Sequence, residues 1–243
     1  MYKGKKIGIV VPAYNEESLI SKTIKSVPDF VDKVYVVDDA STDRTAEIAR
    51  SFSNSRIMCT SHLYNRGAGA AVVSGYKQAL ADNVDIVVVM AGDNQMDPAH
   101  MTKLIEPVIR GTADYAKGDR LSNKHHQLGM SKWRRFGNWL LTWLTRIVVS
   151  NWRISDPQNG YTAISQETLK KIDLDGIYPS YGYCNDLLVK LTTYGYRIAD
   201  VPMPARYGQE KSKIKYSKYI PKVSILLLRD FLWRLKVKYL KGN

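Results

Sequence analysis

The chain has 243 residues, of which 44% are hydrophobic and 24% charged, and its formal net charge is +13. This length predicts one large domain or one domain with an appendage, and this composition excludes an intrinsically disordered chain. The excess of positive charge favours a polyanionic partner: nucleic acid, a phosphorylated ligand or an anionic membrane face. The two cysteines have no metal-ligand spacing and indicate a reducing compartment.

Strands and helices alternate through the first half of the chain. Short segments rich in Val and Ile predict four strands: IGIVVPA, KVYVVDDA, SRIMCTS and VDIVVVMAG. Helical patterns lie between them: EESLISKTIKSV, DRTAEIARSF and GAAVVSGYKQALA. This alternation predicts an α/β fold with a mostly parallel sheet and right-handed crossovers. In such open sheets the ligand binds beyond the carboxyl ends of the strands.

A polar cluster follows each of the four predicted strands, so the clusters are expected at one rim of the sheet. They are PAYNE (12–16), DDASTD (38–43), NRG (65–67) and AGDNQMD (91–97). The last cluster has two interpretations. It is a polar turn in which Asp97 caps the helix that Pro98 opens, or it is a set of oxygen ligands for a hard divalent cation. Four clusters on one edge favour a ligand site.

Two of these clusters also have local roles. Asp43 is expected to cap a helix that starts at Arg44, where a carboxylate meets free N–H groups, rather than to contact a ligand. The segment Asn65-Arg66-Gly67, with Gly69, predicts a tight turn into a helix. Whether it also contacts the ligand stays open.

The second half begins with a long helical pattern, WRRFGNWLLTWLTRIVVS (133–150), that contains three tryptophans. Its apolar face is expected to pack on the core, with one end near lipid; that face comprises Trp133, Phe136, Leu140, Trp143 and Ile147. The opposite stripe comprises Arg135, Asn138, Thr142 and Arg146. A turn (SDPQNGY), a strand (YTAIS), a helix around CNDLLVKLTTYG and a strand (YRIADVPM) follow.

The C-terminal tail is basic and amphipathic. Written as a helix after Pro221, it places apolar residues on one face, namely Ile225, Leu228, Phe231, Leu232, Leu235 and Tyr239. The other face carries cations, namely Lys222, Arg229, Arg234, Lys236, Lys238 and Lys241. This pattern is typical of a helix that lies in a membrane interface, although such faces also pack on a core or on a partner subunit. No apolar run approaches the roughly 20 residues of a spanning helix.

Taken in order, these motifs resemble glycosyltransferase family 2, especially its polyprenyl-phosphate sugar synthases. The segments that carry the resemblance are VVPAYNEE, VVDDASTDRT, LYNRGAGAA, AGDNQMDP, SDPQNGYTAIS, GYCNDLLVKLTTYGYRIADVPM and RYGQEKSKIK. The resemblance covers nearly the whole chain. It implies a GT-A (Rossmann-like) fold, with a mostly parallel sheet flanked by helices and C-terminal amphipathic helices. It also implies metal-dependent, inverting transfer of a sugar from a nucleotide-diphosphate-sugar to dolichyl or undecaprenyl phosphate.

The resemblance assigns the donor side of the site. Contacts to the nucleotide-sugar are expected from Pro12, Ala13, Tyr14, Glu16, Asp39, Gly92, Arg206 and Lys213, with Ser212 as an alternative to Lys213. A Mg²⁺ or Mn²⁺ ion is expected on Asp93 and Gln95. The first carboxylate of the family's DxD metal motif is replaced by Ala91 here, which leaves fewer protein ligands for that ion.

The resemblance also assigns the acceptor side, where Arg120, Arg134 and Asn138 are expected to bind the acceptor phosphate. Arginine suits phosphate through its planar fork. Asp156 lies near the sugar or caps a turn before Pro157, and the expected catalytic residues are Asp93, Arg120 and Asp156. Arg135 and Lys132 are expected to be solvated cations.

The expected organisation is a catalytic domain over 1–210 and a basic tail over 211–243 at a membrane surface or interface. Residues 1–120 form the nucleotide-sugar half and 121–210 the acceptor half. A monotopic position on the cytoplasmic leaflet is expected, with a homo-oligomer or a separate membrane partner left open.

The sequence has three rival functional interpretations. The first is transfer to a saccharide or protein hydroxyl on the same fold. The second is a catalytically silent relative, suggested by Ala91. The third is nucleic-acid binding, which is not expected because the chain contains no RNA-recognition, zinc-finger or helix-turn-helix signature.

Overall fold

The computed structural model describes residues 1–123, 132–204 and 216–240. The strands are β1 (Ile7–Ala13), β2 (Lys33–Asp38), β3 (Ile57–Ser61), β4 (Ile86–Val89), β5 (Tyr115–Asp119), β6 (Thr162–Ser165) and β7 (Ile198–Pro202). The helices are α1 (Ile20–Lys25), α2 (Thr45–Arg50), α3 (Ala68–Ala81), α4 (Met101–Ile109), α5 (Lys132–Val149), α6 (Gln166–Lys171), α7 (Tyr183–Thr193) and α8 (Tyr216–Leu235). A 3₁₀ turn (Pro98–His100) leads into α4, and π-helix (Lys236–Leu240) extends α8.

The described strands form one sheet of seven in the order β3-β2-β1-β4-β6-β5-β7. Only β6 runs against its neighbours, β4 and β5. The other strands therefore end at one edge, and the chain enters β6 from that same edge. This arrangement brings the polar clusters after β1 to β5 to one rim, together with the segment that precedes β6. The predicted mostly parallel α/β sheet is confirmed.

Both faces of the sheet are covered, which explains why its central strands are continuous apolar runs. Ile9 and Val11 of β1 point towards α1 and α4, whereas Val10 points towards α3 and α7. Gly75 of α3 lies so close that an added Cβ would come within 2.3 Å of Val10 Cγ1. A third apolar cluster joins α5, α7 and α8.

The expectation that the aromatic face of the tryptophan helix packs on the core is wrong. Three residues of that face, Phe136, Trp143 and Ile147, are exposed, Phe136 over 51% of its surface. Trp139, which was not part of that face, is also exposed, over 61% of its surface. The buried stripe is instead formed by Leu141, Thr145 and Val148, together with Asn138 and Thr142, which were assigned to the opposite face. Burial of Thr145 is tolerated because its hydroxyl donates to Leu141 O at 2.7 Å and accepts from Asn185 Nδ2 at 2.7 Å.

The tail helix differs from its prediction in where it begins. α8 starts at Tyr216, so Pro221 lies inside it rather than before it. A proline at this sixth position of a helix removes the hydrogen bond to the carbonyl four residues earlier, and its ring crowds that carbonyl. The expected apolar face is exposed at Ile225, Leu228, Leu232 and Tyr239, while Val223, Leu226 and Leu227 pack inward.

Two of the tail's cations pair with groups of the protein, although Arg229 stays exposed and Arg234 half-buried. Arg229 Nη2 lies 3.3 Å from Asp186 Oδ1 and 3.1 Å from Asp230 Oδ1. Arg234 Nη1 donates to Val148 O at 2.6 Å, at the carboxyl end of α5. Within the described residues, no helix is both long enough and apolar enough to cross a bilayer.

Candidate active site

The loops after β1 and β2 are bound to each other and form one wall of the site. Asn15 Oδ1 accepts from Thr42 N at 2.8 Å, and Asn15 N donates to Ser41 Oγ at 2.9 Å. Thr45 Oγ1 accepts from Glu16 N at 2.7 Å and donates to Asp43 Oδ1 at 2.5 Å. Asp43 Oδ1 also accepts from Thr45 N at 2.9 Å, so Asp43 binds a free N–H of the first turn as predicted, although the helix starts at Thr45 and Arg44 occupies its N-cap position.

Asp39, at the end of this wall, holds the third polar cluster in place. Its buried carboxylate accepts from Arg66 N at 2.8 Å and from Gly67 N at 2.7 Å. The ring Nδ1 of His62 lies 2.7 Å from Asp39 Oδ1, and its Nε2 lies 2.9 Å from Ser74 Oγ. Asp39 therefore links the end of β2 to the start of α3. His62 was not identified from the sequence.

The glycine turn that starts α3 packs against the loop before α7. Gly67 has φ +97°, and a Cβ there would lie 2.5 Å from Pro179 O. Pro179 O also accepts from Ala70 N at 2.9 Å, and Tyr178 N donates to Asp186 Oδ2 at 2.8 Å. The predicted turn is confirmed, and it fixes the position of the 178–181 loop.

Tyr181 lies in that loop. It exposes 46% of its surface, yet burial raises the pKa of its hydroxyl. The negative charges of Glu16, Asp93 and Asp39 raise that pKa further, in that order. Tyr181 is therefore close to three residues expected on the donor side, although it was not identified from the sequence.

The two carboxylates of the fourth cluster, which follows β4, have different local roles. Asp97 Oδ1 accepts from Ala99 N at 3.0 Å and caps the turn that Pro98 opens, so this part of the polar-turn interpretation is confirmed. Asp93 Oδ1 accepts from Gln95 N at 3.1 Å, which holds these two residues together. Gly92 N donates to Pro12 O at 3.0 Å, so the segment lies against the end of β1.

Arg120 and Asp156 form a two-pronged ion pair at the part of the rim that is expected to bind the acceptor. The guanidinium Nε and Nη2 lie 2.6 and 2.8 Å from the two carboxylate oxygens, and Arg120 N donates to Asp156 Oδ2 at 3.0 Å. Burial alone would raise the pKa of Asp156, but the charge and hydrogen bonds of Arg120 outweigh burial and hold it below its ordinary value. The turn at Pro157 is closed by Asn159 N and Asp156 O, 3.0 Å apart.

A buried lysine holds the segment that precedes Asp156 in place. Lys117 Nζ donates to Ser155 O and lies 2.6 Å from Asp200 Oδ1. Ser155 N donates to Asp200 Oδ2 at 2.7 Å, and Ser155 Oγ donates to Asp119 Oδ1 at 2.9 Å. The segment that carries Asp156 is therefore anchored to β5 and β7. Lys117 was not identified from the sequence.

Backbone strain is also present at this rim. Four residues other than glycine have positive φ there: Asn15 (+53°), Ala40 (+58°), Asn94 (+57°) and Asp156 (+40°). Such conformations persist only where the surroundings impose them, and they cluster at functional sites.

Comparison with known proteins identifies the family. The model for glycosyl transferase family 2 matches residues 8–173, which is more than half of the chain. The chain belongs to glycosyl transferase family 2. It is 30% identical over 199 residues to the undecaprenyl-phosphate mannosyltransferase of Micrococcus luteus, covering 80% of this chain and 81% of that one.

Other relatives of this family 2 chain agree. It is 27% identical over 220 residues to the UDP-N-acetylglucosamine–dolichyl-phosphate N-acetylglucosaminyltransferase of Methanococcus voltae, covering 84% of this chain and 87% of that one. The crystal structure of glucosyl-3-phosphoglycerate synthase from Mycobacterium tuberculosis, in complex with phosphoglyceric acid, superposes with a TM-score of 0.68 at 25% identity. That match covers 95% of this chain and 80% of the synthase. Both the GT-A fold and the glycosyltransferase activity expected from the sequence are thereby confirmed.

The fourth cluster of this family 2 chain fits a divalent cation only in part. Among the described residues, no group of three His, Cys, Asp or Glu side chains is arranged to hold a metal ion. Asp93 and Gln95 offer a carboxylate and an amide oxygen, which suit a hard cation. Such an ion commonly takes one or two carboxylates together with substrate phosphate oxygens. The cluster therefore fits an ion shared with a diphosphate, and Ala91 supplies no ligand.

Of the expected acceptor set, Arg120 lies at the rim, where it pairs with Asp156, and Asn138 is buried in α5. Arg206, Lys213, the alternative Ser212 and the side chain of Arg134 lie outside the described residues. Their expected roles stay predictions.

Proposed function

We propose that this family 2 enzyme transfers a sugar from a nucleotide-diphosphate-sugar to a polyprenyl phosphate. The observation that carries the proposal is the two-pronged ion pair between Asp156 and Arg120. A hydroxyl acceptor needs a general base, and a carboxylate with a lowered pKa in a two-pronged ion pair is a poor one. The pair instead fixes the guanidinium of Arg120 at the rim, and the planar N–H donors of arginine suit a phosphate even where a carboxylate offsets part of the charge. The names of the two lipid-phosphate transferase relatives support this acceptor class.

The proposed reaction is a single displacement with inversion. A phosphate oxygen of the acceptor attacks the anomeric carbon, and the bond from that carbon to the diphosphate breaks. The nucleoside diphosphate leaves with the bonding electron pair. Since the acceptor phosphate is an anion near neutral pH, no proton has to be removed. Arg120 and, by family resemblance, Arg134 and Asn138 hold the acceptor phosphate in line with that bond.

On the donor side, Pro12, Ala13, Tyr14, Glu16, Asp39 and Gly92 are proposed to contact the nucleotide-sugar. Asp93 and Gln95 would hold Mg²⁺ or Mn²⁺ together with the diphosphate. When bound, that ion supplies positive charge against the leaving diphosphate. Arg206 and Lys213 are proposed to grip the diphosphate from the tail side, as the family resemblance implies.

The site of action is proposed to be the cytoplasmic face of a membrane, with the protein bound peripherally. Two features support this. The apolar faces of α5 and α8 are exposed, and Lys222, Lys236 and Lys238 of the tail are exposed beside them. Aromatic and aliphatic residues next to lysines are typical of a surface that binds anionic lipid.

The decisive experiment incubates the protein with a panel of nucleotide-sugars and a short polyprenyl phosphate, with Mn²⁺, and analyses the products by mass spectrometry. A glycosylated lipid phosphate with inverted anomeric configuration is expected from at least one donor. Transfer to a saccharide or peptide hydroxyl, with the lipid phosphate untouched, would refute the proposal. A product that retains the donor's configuration would refute the single displacement.

A further inference from the structure

A cleft of about 440 Å³ lies between α5 and the loops at the acceptor side of the rim. Its walls include Phe136, Trp139 and Trp143, the same aromatic residues that α5 exposes. The rings of Phe136 and Trp139 are stacked, with centroids 6.0 Å apart. Three aromatic side chains kept at the surface, rather than in a core, indicate a surface that binds something apolar.

One end of the cleft meets the ion pair described above. Leu121 and Ser155 line the cleft, and they are the direct chain neighbours of Arg120 and Asp156. Because Ser155 is anchored to Asp119 and Asp200, this end has a fixed position relative to Arg120. The cleft therefore runs from the acceptor side of the site to the exposed aromatic face of α5.

The cleft also carries positive charge. Arg135 and Arg146 line it, and Arg146 Nε donates to Ile154 O at 2.7 Å, which holds its guanidinium in place. Aromatic walls with guanidinium groups beside them complement a molecule that has an apolar chain and an anionic head. A free sugar or a peptide rich in hydroxyl groups lacks the apolar part.

We propose that this cleft binds the first isoprene units of the acceptor, with the phosphate at the Arg120 end and the chain passing along Trp139 and Trp143. This inference rests on the proposed function, since it specifies how that acceptor is held. Each of the five carbons of an isoprene unit takes up roughly the volume of a water molecule, about 30 Å³. The cleft of about 440 Å³ therefore has room for about three isoprene units. Later units leave the cleft.

The test is a series of water-soluble acceptors with one to five isoprene units, assayed without membrane. Each methylene removed from water is favourable, so kcat/KM should rise at least about five-fold with each unit up to three. The fourth and fifth units should each change it by less than about two-fold, because they lie outside the cleft. The KM of the donor should not change along the series.

Trp139→Ala and Trp143→Ala should flatten this dependence on chain length while leaving the donor KM and the melting temperature unchanged. Trp152→Ala is the matched control, because Trp152 exposes 62% of its surface, as against 61% for Trp139, but does not line the cleft. This control should keep the wild-type profile.

The outcomes separate this inference from the proposed function. A wild-type kcat/KM that is independent of chain length overturns the inference even though sugar transfer occurs. So does a Trp139→Ala variant that loses only its binding to lipid vesicles, because the ring is then a membrane contact. If no lipid phosphate is glycosylated at all, the proposed function fails. Calorimetry with farnesyl phosphate then decides: binding that Trp139→Ala weakens and Trp152→Ala does not supports the cleft, and absence of binding overturns it.

Discussion

At the scale of single residues, the buried pair of Arg120 and Asp156 shows how the protein keeps a charge inside the site. Asp156 is completely buried and has φ +40°, so both its charge and its backbone conformation cost free energy. The two-pronged contact with Arg120 and the Lys117 contacts to the neighbouring carbonyls offset that cost. Side chains and backbone at this position therefore depend on each other.

Replacing Asp156 by Asn tests that dependence through pH. The lowered pKa of Asp156 means that its carboxylate stabilises the fold above the ordinary Asp value, and that this contribution is lost as pH falls through the folded-state pKa. Removing one partner of a buried pair should cost about 3 kcal/mol at pH 7. Urea unfolding of both proteins should show the full difference at pH 7, and the difference should shrink below about pH 4. A difference that stays constant with pH would show that the charge of Asp156 contributes nothing.

Asp93→Asn tests the donor side. Asp93 is the carboxylate next to Gln95 at the end of β4, and its side chain is only half-buried, so the fold should be unaffected. Turnover should fall by roughly two orders of magnitude or more, because the ion shared with the diphosphate loses its carboxylate ligand. Calorimetry should also show loss of the Mn²⁺-dependent part of nucleotide binding. Full activity of the variant in chelator would contradict the metal assignment.

Some site residues could be predicted from the sequence, and others could not. Asp93, Gln95 and Asp97 follow an apolar strand directly, so neighbouring residues in the sequence are enough to predict their position at the carboxyl end of that strand. His62, Lys117 and Tyr181 act through contacts that are distant in sequence. Lys117 is in the middle of a strand and is neutralised by Asp200 of β7, which no local pattern indicates.

At the scale of secondary structure, the four strands of the first half were predictable because each is a short β-branched run with polar ends. The orientation of α5 was not predictable in this way. Its buried stripe mixes Leu141 and Val148 with the polar residues Asn138, Thr142 and Thr145, whereas its exposed stripe carries Phe136, Trp139 and Trp143. Periodicity identifies such a helix but does not tell which side faces the core.

The junction between the glycine turn and the 178–181 loop yields a prediction at this scale. A Cβ on Gly69 would lie 2.2 Å from Tyr178 O and 2.8 Å from Tyr183 Cβ, so Gly69→Ala must push the loop away. The loss of stability should be about 1–3 kcal/mol. Because Tyr181 moves with that loop, the donor KM should rise as well. Thermal unfolding and steady-state kinetics measure the two effects.

Gly111→Ala is the control for that substitution. Gly111 also has positive φ (+66°), but an added Cβ there meets nothing within 4 Å. Gly111→Ala should therefore lower the free energy of unfolding by only about 1 kcal/mol, through backbone strain, and should not change the donor KM. Equal effects of the two substitutions on KM would show that the packing of Gly69 against the loop does not position the donor site.

At the scale of the whole molecule, the net charge of +13 comes from two kinds of cation: some are paired within the fold and others are exposed to solvent. Lys117, Arg120, Arg229 and Arg234 are bound to carboxylates or carbonyls within the fold. Lysines of the tail are exposed beside the apolar residues of α8, which packs against α5. The tail therefore presents exposed apolar residues together with exposed lysines, which is the arrangement that favours an anionic bilayer.

Liposome flotation tests whether this surface binds membrane. The protein should float with anionic vesicles at low salt, and high salt should weaken flotation, because each exposed lysine contributes ~1 kcal/mol that screening removes. Deleting the tail would be ambiguous, since Val223, Leu226 and Leu227 of α8 belong to the core.

The better variant is Ile225→Ser with Leu228→Ser and Leu232→Ser, which changes only exposed side chains and should reduce flotation without lowering the melting temperature. Leu63→Ser, at an exposed position outside both helices, is the matched control and should float as the wild type does. Wild-type protein that stays in solution with anionic vesicles at low salt would show that the exposed face of α8 serves a protein contact instead.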